Sequence, residues 1–108
     1  MIQVTVSRDP DGSVRGIECR GHAGFAPSGQ DIICSAVSAL TLNMANSVEA
    51  FTEDPFEGQA EEDGGFTFRF TGDISAGSKL LMDSLLLGLQ DIREAYGKEY
   101  INIRSQEV

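Results

Sequence analysis

The feature that most constrains the fold is a long helical repeat of apolar residues in the middle of the chain. Within residues 31–51, these residues lie within about 80° of one another on a helical projection, at positions Ile33, Val37, Leu40, Met44, Val48 and Phe51. A chain of 108 residues has room for one hydrophobic core. We therefore expect the predicted helix to bury this stripe against the segments on either side of it.

Alternating apolar and polar residues predict strands in those flanking segments. The predicted strands are residues 2–7, 14–20, 56–62, 65–71 and 100–104. The turn signal Asp9-Pro10-Asp11-Gly12 joins the first two into an antiparallel hairpin. In the fourth strand Phe66, Phe68 and Phe70 share one face, which we interpret as core.

A second helix is predicted over residues 75–96, with Ser75 as its N-cap and Gly97 as its C-terminal stop. Its predicted inner stripe is Leu81, Leu85, Leu89, Ile92 and Tyr96. Three further apolar residues, Met82, Leu86 and Leu87, widen this stripe, for contact with a second subunit or as a deeper core. The order ββαββαβ predicts a single α+β domain over residues 1–108, with a mainly antiparallel sheet packed with two helices.

The charge balance and the hydropathy bound the partners and the compartment. Seventeen acidic residues against eight basic ones give a formal net charge of −9. This charge repels phosphate backbones, so we expect no direct nucleic-acid binding; a basic partner would be attracted, unless the acids only keep the protein in solution. No apolar run approaches the roughly 20 residues that span a bilayer, and residues 1–6 lack the pattern of a signal peptide. We therefore expect a cytoplasmic protein with no membrane contact.

The chain contains two cysteines and one histidine, with no CxxC pair. Two cysteines are too few for a disulfide framework, and these ligands are too few for a zinc signature, so we predict no metal site. Cys19 falls within a predicted strand and is expected to be a core residue. Cys34 falls in the first turn of the first helix, where unpaired N–H groups and the helix dipole stabilise a thiolate.

The candidate chemistry lies in Gly21-His22-Ala23-Gly24 and in the segment that begins with Asp31 and Cys34. His22 could act as the base for Cys34, while the N–H groups of the helix could hold an oxyanion. Each residue also has a plain structural interpretation, since Cys34 could be a small buried hydrophobe and His22 a solvated loop residue. Asp31 is either a third catalytic group or only the N-cap.

Helical phase bears on the choice between these interpretations. Asp31, Cys34 and Ser38 lie within about 60° of one another, on the side of the helix opposite the apolar stripe. Ser38 follows Cys34 by one turn and either lines the site or bonds locally. The phase therefore predicts a chemical face that is separate from the core face.

These two segments resemble the Prp family of ribosomal-processing cysteine proteases, also described as YsxB-like, and the similarity extends over the whole chain. Ser35 stands where alanine is common in the family. The resemblance implies a cysteine endopeptidase with His22 and Cys34 as its catalytic dyad, supported by Gly21, Asp31 and Ser38. It also implies a homodimer, no cofactor and a mobile segment between residues 21 and 30.

The substrate that the resemblance implies is large-subunit ribosomal protein twenty-seven, a basic protein whose N-terminal extension is removed during ribosome assembly. Two other functions fit the residues. The chain could be a non-catalytic, acidic assembly partner that binds the same basic protein. Alternatively, Cys34 could be a reversibly oxidised redox sensor.

Overall fold

A computed structural model describes residues 1–27 and 30–108 of the chain. In chain order its elements are β1 (Ile2–Arg8), β2 (Val14–Arg20), α1 (Ile32–Phe51), β3 (Phe56–Ala60), β4 (Phe66–Phe70), α2 (Ala76–Tyr96) and β5 (Ile101–Glu107). The predicted order ββαββαβ is confirmed. The mobile segment that the resemblance implies between residues 21 and 30 includes Ser28 and Gly29, which lie outside the described residues.

The five strands form one sheet in the order β3-β4-β2-β1-β5. Three of the four pairings are antiparallel, as predicted, whereas β5 pairs in parallel with β1. The parallel pairing is possible because α2 carries the chain back along the sheet before β5 begins. β5 is also longer than the predicted strand, since its pairing with β1 continues to Glu107.

Both helices pack on one face of this sheet. The registers place Val4, Cys19 and Phe66 in one row, and Val6, Ile17 and Phe68 in the next, and all six side chains are buried. They form one hydrophobic cluster with the buried residues of α1 and α2. The opposite face carries polar side chains such as those in the row Thr5, Glu18 and Thr67, which accounts for the alternation in the sequence.

Capping residues set the N-terminal ends of both helices and the C-terminal end of α2. Asp31 caps α1, and the Ser75 hydroxyl caps α2 by accepting from the backbone N–H of Ser78. Gly97 ends α2 with a φ of +122°, in the region that favours glycine. No helix among residues 1–27 and 30–108 has the length and apolar character needed to cross a membrane.

The predicted core face of α1 is wrong at its C-terminal end. Phe51 is 80% exposed, whereas Thr52, one residue later, accepts a hydrogen bond from the Ser78 hydroxyl of α2 at 3.4 Å. Thr41 is buried instead, with its hydroxyl satisfied by the carbonyl of Val37. The buried arc is therefore rotated from the predicted stripe towards the side that carries Cys34.

The excess apolar residues of α2 divide between the core and the surface. Met82 and Leu86 are buried and belong to the deeper core. Leu87 is 60% exposed, and Tyr96, which was predicted to be part of the inner stripe, is 42% exposed. Tyr96 lies in the last turn of α2, beyond the sheet contact, and its ring packs against the segment that follows β2.

Candidate active site

The site is built where the segment after β2 meets the first turn of α1. Gly21 begins this segment with a φ of +87°, and a Cβ there would lie 2.5 Å from the carbonyl oxygen of Met1. Only glycine fits both the conformation and this close approach. The position of Gly21 against the N-terminal strand therefore sets the path of His22 and Ala23.

Asp31 holds this segment and the helix together through its carboxylate. Its Oδ1 accepts from the N–H groups of Ile33 and Cys34, at 3.0 Å each, while its Oδ2 accepts from the N–H of Phe25 at 3.1 Å. The side chain is 7% exposed. Burial acts to raise the pKa of Asp31, but the hydrogen bonds from Cys34, Phe25, Ala26 and Ile33 outweigh it and lower that pKa.

Cys34 is half-buried and packs against the edge of the hydrophobic core. Its Sγ accepts a hydrogen bond from the backbone N–H of Ala23 at 3.3 Å. The predicted separation between a chemical face and a core face is therefore wrong, because Asp31 is buried and Cys34 borders the core; only Ser38 of that group is exposed. The rotation of the buried arc towards Thr41 explains this difference.

The structure also differs from the predicted oxyanion site. The N–H groups of Ile33 and Cys34 are already bound to the Asp31 carboxylate, and that of Ser35 donates to the Asp31 carbonyl at 3.1 Å. Ala23 supplies the backbone donor at the sulfur instead. A spacing argument within the helix could not reveal this donor, because Ala23 reaches Cys34 only through the tertiary fold.

His22 directly precedes that donor and has an exposed side chain. Its ring lies beside the β3–β4 turn, where a Cβ built on Gly64 would be 4.0 Å from the His22 Cε1. Within residues 1–27 and 30–108, no hydrogen bond joins His22 to Cys34 or to Asp31. The structure thus brings the backbone of the histidine segment to the thiol, whereas the imidazole faces solvent.

Phe25 is a site residue that sequence analysis did not single out. Its ring makes edge-on contacts with the rings of Tyr96 and Tyr100, at centroid distances of 5.7 and 5.3 Å. An aromatic residue among glycines in a loop is the one sequence signal that could have drawn attention to it. These contacts dock the segment onto the end of α2.

The second cysteine offers no comparable chemistry. Cys19 is 3% exposed, as expected of a core residue, and burial, with the charge of Glu18, raises its pKa to about 12. Among the described residues, no three His, Cys, Asp or Glu side chains are grouped so that they could hold a metal ion. Cys34 is therefore the more accessible of the two thiols.

We expect Asp31→Asn to lower the free energy of unfolding at pH 7 by about 1–2 kcal/mol, because the amide loses the charge and turns a donor towards one of its N–H partners. Because the pKa of Asp31 is lower in the folded than in the unfolded protein, its ionised carboxylate stabilises the folded wild type. This stabilisation is complete above about pH 4 and is lost as the pH falls through the pKa of the folded state. The difference in free energy of unfolding between wild type and Asp31→Asn should therefore shrink as the pH falls below about 4. Urea denaturation between pH 2.5 and 7 measures it, with the exposed Asp83→Asn as the control; a difference that stays constant with pH would contradict the assignment.

Comparison with known proteins identifies the family. The family model described as cysteine protease Prp matches residues 1–102. The ribosomal processing cysteine protease Prp of Bacillus subtilis (strain 168) is 31% identical over 101 residues, which cover 89% of this chain and 90% of that protein.

Two solved structures of the essential ribosomal processing protease Prp from Staphylococcus aureus share the fold, and in both comparisons the match covers 98% of this chain and 100% of the other. The complex with a covalently linked product peptide has a TM-score of 0.91 at 26% identity. The complex with a substrate peptide has a TM-score of 0.86 at 25% identity. This chain therefore belongs to the Prp family and is a cysteine protease.

Proposed function

We propose that this protease removes the N-terminal extension of large-subunit ribosomal protein twenty-seven during ribosome assembly, with His22 and Cys34 as its catalytic dyad. The observation that carries the proposal is the hydrogen bond from the Ala23 N–H to the Cys34 Sγ. It brings the segment that bears the histidine to the thiol at the start of a helix. Relatives that are named ribosomal processing proteases support the class of substrate.

The chemistry is acyl transfer to sulfur. His22 takes the thiol proton, and the Cys34 thiolate attacks the scissile carbonyl carbon to form a C–S bond. The Ala23 N–H donates to the Cys34 Sγ, and we propose that it passes to the oxygen of that carbon as the thiolate attacks. The C–N bond then breaks, with His22 returning the proton to the amine. Water, deprotonated by His22, then attacks the thioester carbon, the C–S bond breaks, and His22 returns the proton to the sulfur to restore the thiol.

This mechanism requires the exposed imidazole to turn towards the sulfur when the peptide binds. Gly21 lets the histidine segment pass close to Met1, and Asp31 holds that segment on the helix through Phe25. Both Asp31 oxygens are occupied by N–H groups, so we propose a supporting role for Asp31 rather than direct contact with the imidazole. Ser38 lies exposed one turn beyond Cys34, where we propose that it contacts the bound peptide.

Charge supports a basic protein as the substrate. The net charge of −9 would speed encounter with a ribosomal protein and would oppose direct binding to nucleic acid. We propose that the reaction takes place in the cytoplasm, together with ribosome assembly. No step of the proposed mechanism uses a cofactor.

We further propose that the protein works as a homodimer. Leu80 and Leu87 are 70% and 60% exposed and lie seven residues apart on the outer side of α2, an apolar surface suited to a second copy. Sedimentation equilibrium should give twice the chain mass of 11.6 kDa. A monomer mass at micromolar concentration would contradict this proposal without bearing on the chemistry.

The test of the function is cleavage of a synthetic peptide that spans the junction between the extension and the mature ribosomal protein. Mass spectrometry should detect one cut, at the junction, with the reduced protein. The same protein after alkylation with iodoacetamide should leave the peptide intact, as should the reduced protein with a peptide of scrambled sequence.

Two outcomes would contradict the proposal. A peptide that binds the folded, reduced protein but stays intact would favour an assembly partner that only binds the basic protein. A thiol that is oxidised reversibly by peroxide, in a protein that cuts no peptide, would favour a redox sensor.

A further inference from the structure

We infer that Phe25 is a positioning residue for Cys34: its ring, held by Tyr96 and Tyr100, keeps the Ala23 N–H on the cysteine sulfur. The link to peptide cleavage rests on the function proposed above. The link to the reactivity of the thiol does not, because it depends only on the described geometry.

The first step is the fixed position of the Phe25 ring. Two edge-on contacts hold it, with centroid distances of 5.7 Å to Tyr96 at the end of α2 and 5.3 Å to Tyr100 just before β5. Edge-to-face geometry at these distances is attractive, since the positive edge of one ring faces the negative face of another. Tyr100 is itself tied to the sheet, where its carbonyl accepts from the N–H of Ile2 at 2.8 Å.

The second step is the short connection from this ring to the thiol. Phe25 is two residues from Ala23, whose N–H donates to the Cys34 Sγ at 3.3 Å. The N–H of Phe25 donates to the Asp31 carboxylate, which also accepts from the N–H of Cys34. The ring thus anchors the outer side of a segment whose inner side touches the nucleophile.

The third step separates positioning from general stability. Phe25 is 41% exposed and is absent from the hydrophobic core cluster, so its replacement leaves that cluster intact and costs stability only through the covered part of its own ring. The Ala23 N–H, in contrast, strengthens as a donor when the sulfur becomes an anion, because charge-assisted hydrogen bonds are the strong ones. Removing the ring should therefore weaken the hydrogen bond that stabilises the Cys34 thiolate, while the intact core keeps the domain folded.

The experiment compares Phe25→Ala with Phe51→Ala, a matched control at an exposed phenylalanine at the other end of α1. The readouts are the alkylation rate of Cys34 against pH, located by mass spectrometry, and kcat/KM on the junction peptide. For Phe25→Ala we expect the alkylation rate of Cys34 near neutral pH and kcat/KM each to fall about tenfold, as for a lost hydrogen bond to a charged group. Phe51→Ala should match wild type in both.

Two further variants separate positioning from unfolding. Phe25→Tyr keeps the ring and should restore the wild-type alkylation profile. Tyr96→Ala should shift the alkylation profile in the same direction as Phe25→Ala. The double variant should shift it by less than the sum of the two single shifts, because both substitutions remove the same Phe25–Tyr96 contact. Thermal unfolding of each variant identifies any that fails to fold.

The inference is overturned if folded Phe25→Ala shows the wild-type alkylation profile, or if Phe51→Ala shifts the profile equally. A wild-type protein that cuts no peptide would contradict the proposed function alone. In that case a shifted alkylation profile confined to the variants of Phe25 and Tyr96 would still support the positioning role.

Discussion

Cys34→Ala is expected to reduce kcat/KM on the junction peptide by at least ~10³-fold, because removing the nucleophile removes the covalent route altogether. The fold should tolerate the change, since the sulfur is half-buried at the edge of the core and its one donor among the described residues is the Ala23 N–H. Steady-state cleavage, followed by mass spectrometry, measures the loss. Equal thermal stability of wild type and Cys34→Ala would show that the lost activity reflects the missing nucleophile and not unfolding.

Cys19→Ala is the matched control for this loss. Cys19 is buried, with a pKa raised to about 12, so the fraction present as thiolate near neutral pH is negligible. We expect near wild-type activity per folded molecule, with a modest loss of stability from the gap left in the core. Activity that survives in Cys34→Ala but disappears in Cys19→Ala would reverse the assignment of the nucleophile.

The second large effect is expected for His22→Ala, which should lower kcat/KM by ~10²–10⁴-fold, the range for loss of a general acid–base group. His22 is the only histidine in the chain, so no other imidazole can take over. The rise of kcat/KM with pH on the acid side, which reports the essential base of the free enzyme, should disappear in the variant.

His22→Gln is the companion variant, because glutamine keeps a polar side chain but cannot take up or release a proton as a general base. It should be as inactive as His22→Ala, and both should fold as wild type does, since the side chain is exposed. A glutamine variant with substantial activity and an unchanged pH profile would show that His22 is not the base.

The secondary structure could be predicted because local signals agreed with the tertiary structure. Alternation in β1, β2 and β4, the cap at Ser75 and the stop at Gly97 are local properties of the chain, and the structure confirms them. Two side chains at helix ends, Phe51 and Tyr96, were assigned wrongly to the core. Helical phase gives the direction of a side chain, but whether anything covers it depends on where the neighbouring element stops.

The residues of the candidate site were likewise predictable from the sequence only in part. The segments that carry His22 and Cys34 were recognised from residue type and spacing, and the comparisons confirm the family. The catalytic roles of these two residues remain predictions, which the variants above test. Sequence analysis did not identify Phe25 as a site residue, because its contacts are with Tyr96 and Tyr100, which lie more than 70 positions further along the chain.

The sequence by itself determined the order of the elements, the helix caps, the burial of Cys19 and the family, because each follows from short-range pattern and residue chemistry. Only the tertiary structure decided that Asp31 is buried and accepts from the N–H groups of Phe25, Ile33 and Cys34, so that the last two are already occupied. It also decided which backbone donor meets the Cys34 sulfur. Hydrogen-bond partners across a loop depend on distances between atoms that no residue spacing specifies.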